Sequence, residues 1–262
     1  MLITVDAARL AKADELGMFA PVQSKLLEAR IPAHLRTHDW FSYSTRARVI
    51  VYNPELVKAE QVQTYAQLAD PALKGKVCTR SGSHPYNLSL GAAMIQHEGA
   101  ARTEAWARGL VANLARSPKG GDTDQIKAVA VGECGVAIAN TYYLARLMNS
   151  DKREDQALVA AIRTVWPNQQ GWGTHINVSG AGMLKHAPHK EAAVKFLEYL
   201  ASDAAQAHFA NGNNEWPVVA GLRVRNAALE RLGEFKADTL PVGELARTTA
   251  EAQMIFDRAG FR

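Results

Sequence analysis

The chain has 262 residues, of which 47% are hydrophobic and 21% charged, and its 30 basic and 26 acidic side chains leave a net charge of +4. That length supports a sizeable core and lies where one domain commonly gives way to two. No run approaches the roughly eighteen consecutive apolar residues of a membrane span, and basic residues alternate with acidic ones, as in Lys152-Arg153-Glu154-Asp155, instead of forming the basic face that nucleic acid requires.

Taken in chain order, Leu2 to Val5 reads as a strand that ends at Asp6, and the absence of a basic start or apolar core means this beginning is no signal peptide. A helix follows from about Ala8 to Glu15. Arg48 to Tyr52 is a second strand, stopped by Asn53-Pro54, and Lys76-Val77-Cys78 is a third, entered from the Lys74-Gly75 turn. Helices are expected over Ser89–His97, over Ala101–Ala115 with Trp106, Leu110 and Leu114 on one stripe, and over Thr123–Gly132. Gly135 to Ala139 is a buried strand running into a helix over Tyr143–Asn149. A strand over His175–Val178 and a helix over Lys190–Leu200 precede a largely helical C-terminal third, with a rigid loop expected at Asn213-Asn214-Glu215-Trp216-Pro217. Strands separated by helices of this size define an α/β protein whose sheets are covered on both faces.

The least ordinary feature is Asn140-Thr141-Tyr142-Tyr143, where a buried strand turns into a helix through two adjacent tyrosines. Strand side chains alternate faces, so both phenols can enter one cleft only at such a bend, and strand C-termini border the ligand crevice of open α/β sheets. A phenol ionises near pH 10, and a hard trivalent cation supplies the missing drive by stabilising phenolate. The plainer alternative is a pair of tyrosines filling a cavity mouth. Tyr86, beyond the Ser81-Gly82-Ser83 loop, can face the same crevice. The amides of Ser81, Gly82 and Ser83 ahead of a helix are anion-site candidates, although most such loops are only turns. Arg46 and Arg48 share a face of extended chain, where a guanidinium can offset phenolate charge or grip an oxyanion, and Asn140 can donate to the same anion. Asp122 or Thr123 reads as a helix cap, and His175 as a structural histidine at a crossing between lobes. No Gly-x-Ser-x-Gly, Walker-type or His-Glu-x-x-His pattern is present, so an enzyme is not expected. Cys78 and Cys134, isolated in sequence, are either two buried thiols or one disulfide.

Six phrases in order, Leu2–Ala7, Ser44–Asn53, Lys119–Ile126, Asn140–Leu144, Gly173–Gly182 and Gly212–Val218, resemble the periplasmic ferric-iron-binding proteins of ABC uptake systems, the tyrosine-rich group of the type II solute-binding fold. The resemblance spans essentially the whole chain. It implies two lobes with mixed sheets flanked by helices: residues 1–46 with 177–225, residues 47–176, and final helices 226–262 packing on the second lobe. It places iron-ligating phenols at Tyr142, Tyr143 and Tyr86, an anion loop at Ser81 to Ser83 with Asn140 nearby, and a cleft arginine at Arg46. Fe3+ is then the cargo, with carbonate or phosphate as accompanying anion and an inner-membrane ABC permease as partner. An oxidising periplasm favours a Cys78–Cys134 disulfide. Relatives begin earlier, with a strand and a helix that have no counterpart here. The expectation is therefore a first lobe with an uncovered sheet, through which copies could associate, and a weakened site. The rival readings are a receptor for an oxyanion or small organic ligand, and a shortened remnant that binds nothing.

Overall fold

A computed structural model describes all 262 residues. Seven strands form: β1 (Leu2–Val5), β2 (Trp40–Tyr52), β3 (Val77–Cys78), β4 (Val136–Asn140), β5 (Arg163–Val165), β6 (Ile176–Gly182) and β7 (Trp216–Pro217). Eleven helices accompany them. The first six are α1 (Ala7–Glu15), α2 (Lys25–Arg30), α3 (Pro85–Glu98), α4 (Ala100–Ala112), α5 (Asp122–Ala130) and α6 (Thr141–Met148). The remainder are α7 (Arg153–Ala161), α8 (Lys190–Leu200), α9 (Asp203–Asn213), α10 (Ala227–Leu232) and α11 (Val242–Ala259).

The architecture turns on β2. Its first half, Trp40 to Ala47, pairs antiparallel with β6, which in turn carries β1. Its second half, Arg48 to Tyr52, pairs antiparallel with β4 on one side and, through Ile50 to Tyr52, with β5 on the other. A parallel β3 extends the second sheet beyond β4. The second sheet is therefore mixed, the strand pairings of the first are all antiparallel, and one strand belongs to both. All thirteen residues of β2 are buried, so it lacks the alternation that marks a half-exposed strand, and sequence reading finds only its β-branched end. Asn213–Pro217 is likewise more than a loop, because Trp216 and Pro217 pair with Thr45 and Ser44.

The second sheet is covered on both faces. In β2, Val49 and Val51 enter a compact cluster with Ala137, Ala139, Ile126, Val129 and Leu144. The alternate residues Ile50 and Tyr52 join the main core with Val136 and Ile138, which is the period-two alternation of an extended chain. Helix α11 lies against α3 and α4 and also reaches α1. Its Phe256 approaches α3 so closely that a Cβ at Gly91 would sit 2.6 Å from the ring. β1 is the edge strand, with Ile3 and Val5 exposed.

Two devices hold the junction where β2 changes sheet. The buried Tyr65 hydroxyl donates to the Arg48 carbonyl at 2.5 Å and accepts the His175 N–H at 3.2 Å. Asn177 on β6 donates to Asp6 at 3.0 Å and to Ser89 of α3 at 2.6 Å, and Ser89 meets His175 Nε2 at 3.0 Å. Asp6 caps α1 by accepting the Ala8 N–H at a backbone φ of 80°, a region costly for a residue with a Cβ.

Cys78 at the end of β3 and Cys134 just before β4 form a disulfide with a Cα separation of 5.9 Å. No reactive thiol should therefore appear in the unreduced protein, native or unfolded, when it is treated with a thiol reagent. Closing a loop of this length stabilises the fold, so Cys134→Ser should lower unfolding free energy by about 2–5 kcal/mol in urea titrations. Labelling of both cysteines in the native state would contradict the bridge.

Candidate metal centre

Tyr142 and Tyr143 occupy the first turn of α6, immediately after Asn140, whose extended backbone ends β4. The helical bend turns both side chains to one side, with ring centroids 4.3 Å apart. Tyr86 lies in the first turn of α3, which begins at Pro85, earlier than its apolar stripe suggests. Proline suits that position because the first helical N–H needs no partner. The His84 ring caps the helix by accepting the Tyr86 N–H at 3.2 Å. The two elements meet through the Tyr142 hydroxyl, which donates to the Tyr86 oxygen at 2.8 Å. Three phenols from two segments are thus brought together.

Tyr142 and Tyr86 are held protonated in the metal-free protein. Burial raises the pKa of Tyr142, and its hydrogen bonds with Tyr143 and Tyr86 raise it further. Burial also raises Tyr86, against the hydrogen bond from Tyr142 and the charge of Arg46. Positive charge surrounds them. The Arg80 and Arg48 guanidiniums lie 4.9 and 5.9 Å from the Tyr86 ring centre. Arg146 lies 5.4 Å from that of Tyr142 and 5.7 Å from that of Tyr143. Such cations stabilise phenolate once protons leave. No group of three or more His, Cys, Asp or Glu side chains is arranged to hold a metal, so phenol oxygen is the donor chemistry this cleft presents.

Arg46 and Arg48 line one narrow pocket with Tyr86, Asn140, His175 and Asn177, but they differ in what they have left to offer. Arg48 is largely committed: it donates to Asp122 at 2.9 Å, to Asn140 Oδ1 at 2.9 Å and to Asn87 at 2.7 Å, and only its Nε has no partner. Arg46 is 1% exposed and gives one bond, from Nη1 to Ser179 at 2.9 Å, while its Nε and Nη2 have no partner. A buried guanidinium with free donors beside the phenols suits a small oxyanion or phenolate. Asn140 holds Arg48 through its side-chain oxygen. The Ser81–Ser83 loop folds on itself instead: the Ser83 N–H donates to Ser81 Oγ at 3.2 Å and the two hydroxyls meet at 2.8 Å. Gly82 is pressed against the Phe261 carbonyl, which leaves no room for a Cβ. No hydrogen bond joins these three residues to the phenols.

Sequence reasoning missed three contributors. Arg146 was accessible, lying three and four residues after the two tyrosines on one helix face. Arg80 and Asp122 were not, since their contacts cross the fold. Asp122, read as a cap, is the first residue of α5 and points inward, whereas Asp124 accepts the Gly121 N–H at 2.7 Å.

A model of the bacterial extracellular solute-binding protein family matches residues 1–236. Iron uptake protein A1 of Synechocystis is 47% identical over the whole of this chain, which spans 73% of that protein. Among solved structures, Trichodesmium IdiA (FutA) in complex with iron and citrate superposes with a TM-score of 0.95 at 48% identity, over 99% of this chain and 83% of that one. Apo FutA2 from Synechocystis superposes at 0.96 with 44% identity, over 100% of this chain and 84% of that one.

The electrostatics of the buried cluster bound the stability of the metal-free protein. Burial, then the charges of Arg48 and Arg46, push His175 down to about 3, and His84 is lowered to about 4 by burial and then Arg80. Folded His175 stays neutral while the unfolded residue charges below its ordinary value near 6.5, so its contribution is complete above that pH and lost below it, by roughly 2 kcal/mol at pH 5. The phenols of Tyr43, Tyr65, Tyr86 and Tyr142 are all raised. Their contribution is complete below about pH 10 and lost above it, where unfolded phenols ionise first. Urea midpoints should fall on both sides of a neutral plateau, and His175→Gln should flatten the acid side. An unchanged acid slope in that variant would refute the assignment.

Proposed function

The chain belongs to the bacterial extracellular solute-binding protein family, in the branch that binds ferric iron for ABC uptake in the periplasm, and from that premise we propose that Tyr86, Tyr142 and Tyr143 ligate the ion in the cleft. The observation that carries this reading is the convergence of three phenols, with Tyr142 and Tyr86 oxygens 2.8 Å apart, among guanidiniums, while the neighbouring Asp122 carboxylate is taken up by Arg48, Arg80 and the Asn140 N–H. Phenolate is a hard oxygen donor matched to a hard, highly charged cation. Arg46 would hold the accompanying anion, carbonate or phosphate, through the two donors that have no protein partner. A Trichodesmium relative solved with iron and citrate supports an exogenous anion beside the metal. The Ser83 N–H and the hydroxyls of Ser81 and Ser83 would reach such an anion only by opening their internal turn, which leaves the amides of Ser81 and Gly82 as the loop's candidates.

In this reading the lobes comprise residues 1–46 with 177–225 and residues 47–176, and β2 and β6 are the crossings about which they close. Closure removes water, lowers the local dielectric and strengthens attraction between the cation and the phenolates. The closed form is what the ABC permease would recognise. No helix of the chain is long and apolar enough to cross a membrane, so passage through the bilayer is the permease's part. The exposed edge of β1 is where a second copy would add, which a sizing measurement reads directly.

Binding exchanges one trivalent ion for up to three phenol protons, so affinity should fall steeply on acidification, by up to about a thousandfold per pH unit. Ferric citrate added to the metal-free protein should produce a visible phenolate-to-iron charge-transfer band that saturates at one ion per chain. The Tyr142→Phe/Tyr143→Phe double variant should lose the band. Tyr86→Phe should retain colour but bind more weakly, beyond the roughly 10- to 100-fold that removing an outer hydrogen-bond partner costs. A colourless titration, with affinity for iron indifferent to these tyrosines, would sink the proposal.

A further inference from the structure

Asp122 is fully buried, and its carboxylate serves three partners from three parts of the chain. Oδ2 accepts from Arg48 Nη1 at 2.9 Å and from the Asn140 N–H at 2.7 Å, and Oδ1 accepts from Arg80 Nη1 at 3.1 Å. Both guanidiniums also lie against the Tyr86 ring. Asn140 is the residue from which α6 starts, two positions before Tyr142. A single carboxylate therefore joins the support of Tyr86 to the support of Tyr142 and Tyr143. Capping does not explain it, because Asp124 performs that task for α5. Nor is it needed as a free anion for iron, since both oxygens are occupied by donors.

We propose that Asp122 is the positioning residue of the metal centre, holding Arg48 and Arg80 against Tyr86 and anchoring the Asn140 turn, so that it sets both the spacing of the phenols and the donor strength of Tyr86. This rests on the reading that the three tyrosines bind ferric iron. Exchanging one ferric ion for three phenol protons leaves the site's charge unchanged, so the field of the guanidiniums largely cancels in affinity. Geometry governs affinity, and the field governs the energy of the phenolate electrons from which the charge-transfer band arises.

The test compares wild type, Asp122→Asn and Arg80→Gln, each titrated with ferric citrate. Asp122→Asn keeps the size of the side chain but turns an amide donor toward a guanidinium and leaves two cations uncompensated beside Tyr86. It should bind iron about 10- to 100-fold more weakly, with the band moved to shorter wavelength because the phenolate electrons are held more tightly. Arg80→Gln removes one of those cations, and its band should move to longer wavelength. It changes a partly exposed side chain and decides the matter should Asp122→Asn fail to fold. Bands of both variants coincident with wild type overturn the inference, even where thermal stability and affinity fall, because a merely structural role predicts that pattern. A wild-type protein without a band fails the iron reading itself, and this inference with it.

Discussion

The structure depends on one strand carrying two buried arginines through the boundary between two sheets. At Arg46 and Arg48, β2 leaves β6 and joins β4, and both guanidiniums are almost wholly withdrawn from water. A buried cation is tolerated only when its donors meet acceptors or other charge. Arg48 largely satisfies this internally, through Asp122, Asn140 and Asn87, with only its Nε unpartnered. Arg46 does not, and its two unpartnered donors make the cleft a place where negative charge is welcome. The phenols stand where that need can be met, by their own ionisation or by an anion that accompanies the metal.

The same economy of contacts couples the site to the fold. Asn177 lies opposite Arg46 on β6 and bridges Asp6 at the head of α1 to Ser89 within α3, the helix that carries Tyr86. Tyr65 fastens β2 and β6 at the adjacent residues. The groups that define the crossing between lobes are thus one hydrogen bond away from those that define the cleft. Neutral His175 within this network avoids a third positive charge beside the two arginines, and its depressed pKa follows from that crowding.

Much of the site was legible in the residues. Adjacent tyrosines at a strand-to-helix bend can share a cleft only because backbone geometry permits it there, and that argument uses local chain alone. The resemblance extended it to Tyr86 and Arg46, and the coordinates bring both to the phenol cluster. Local reasoning reached no further than the turn at Ser81–Ser83, where free amides ahead of a helix suggested an anion cradle. The Ser83 N–H is taken by Ser81 Oγ and Gly82 lies against Phe261, a partner far along the chain that no local pattern reveals.

What the sequence determined by itself was the α/β class, the strands that are rich in β-branched residues, the helices with an apolar stripe, and the type of chemistry that paired phenols can perform. These follow from periodicity and side-chain identity, which neighbouring residues carry. Only the tertiary structure decided that β2 is thirteen residues long, that Asp122 faces inward to two guanidiniums rather than capping its helix, and that Arg46 keeps two free donors where Arg48 keeps only its Nε. The physical reason is common to all three. Burial on both faces erases the alternation that marks a strand, and the charge state and spare bonding of a buried ion depend on partners brought from distant segments, which no local pattern records.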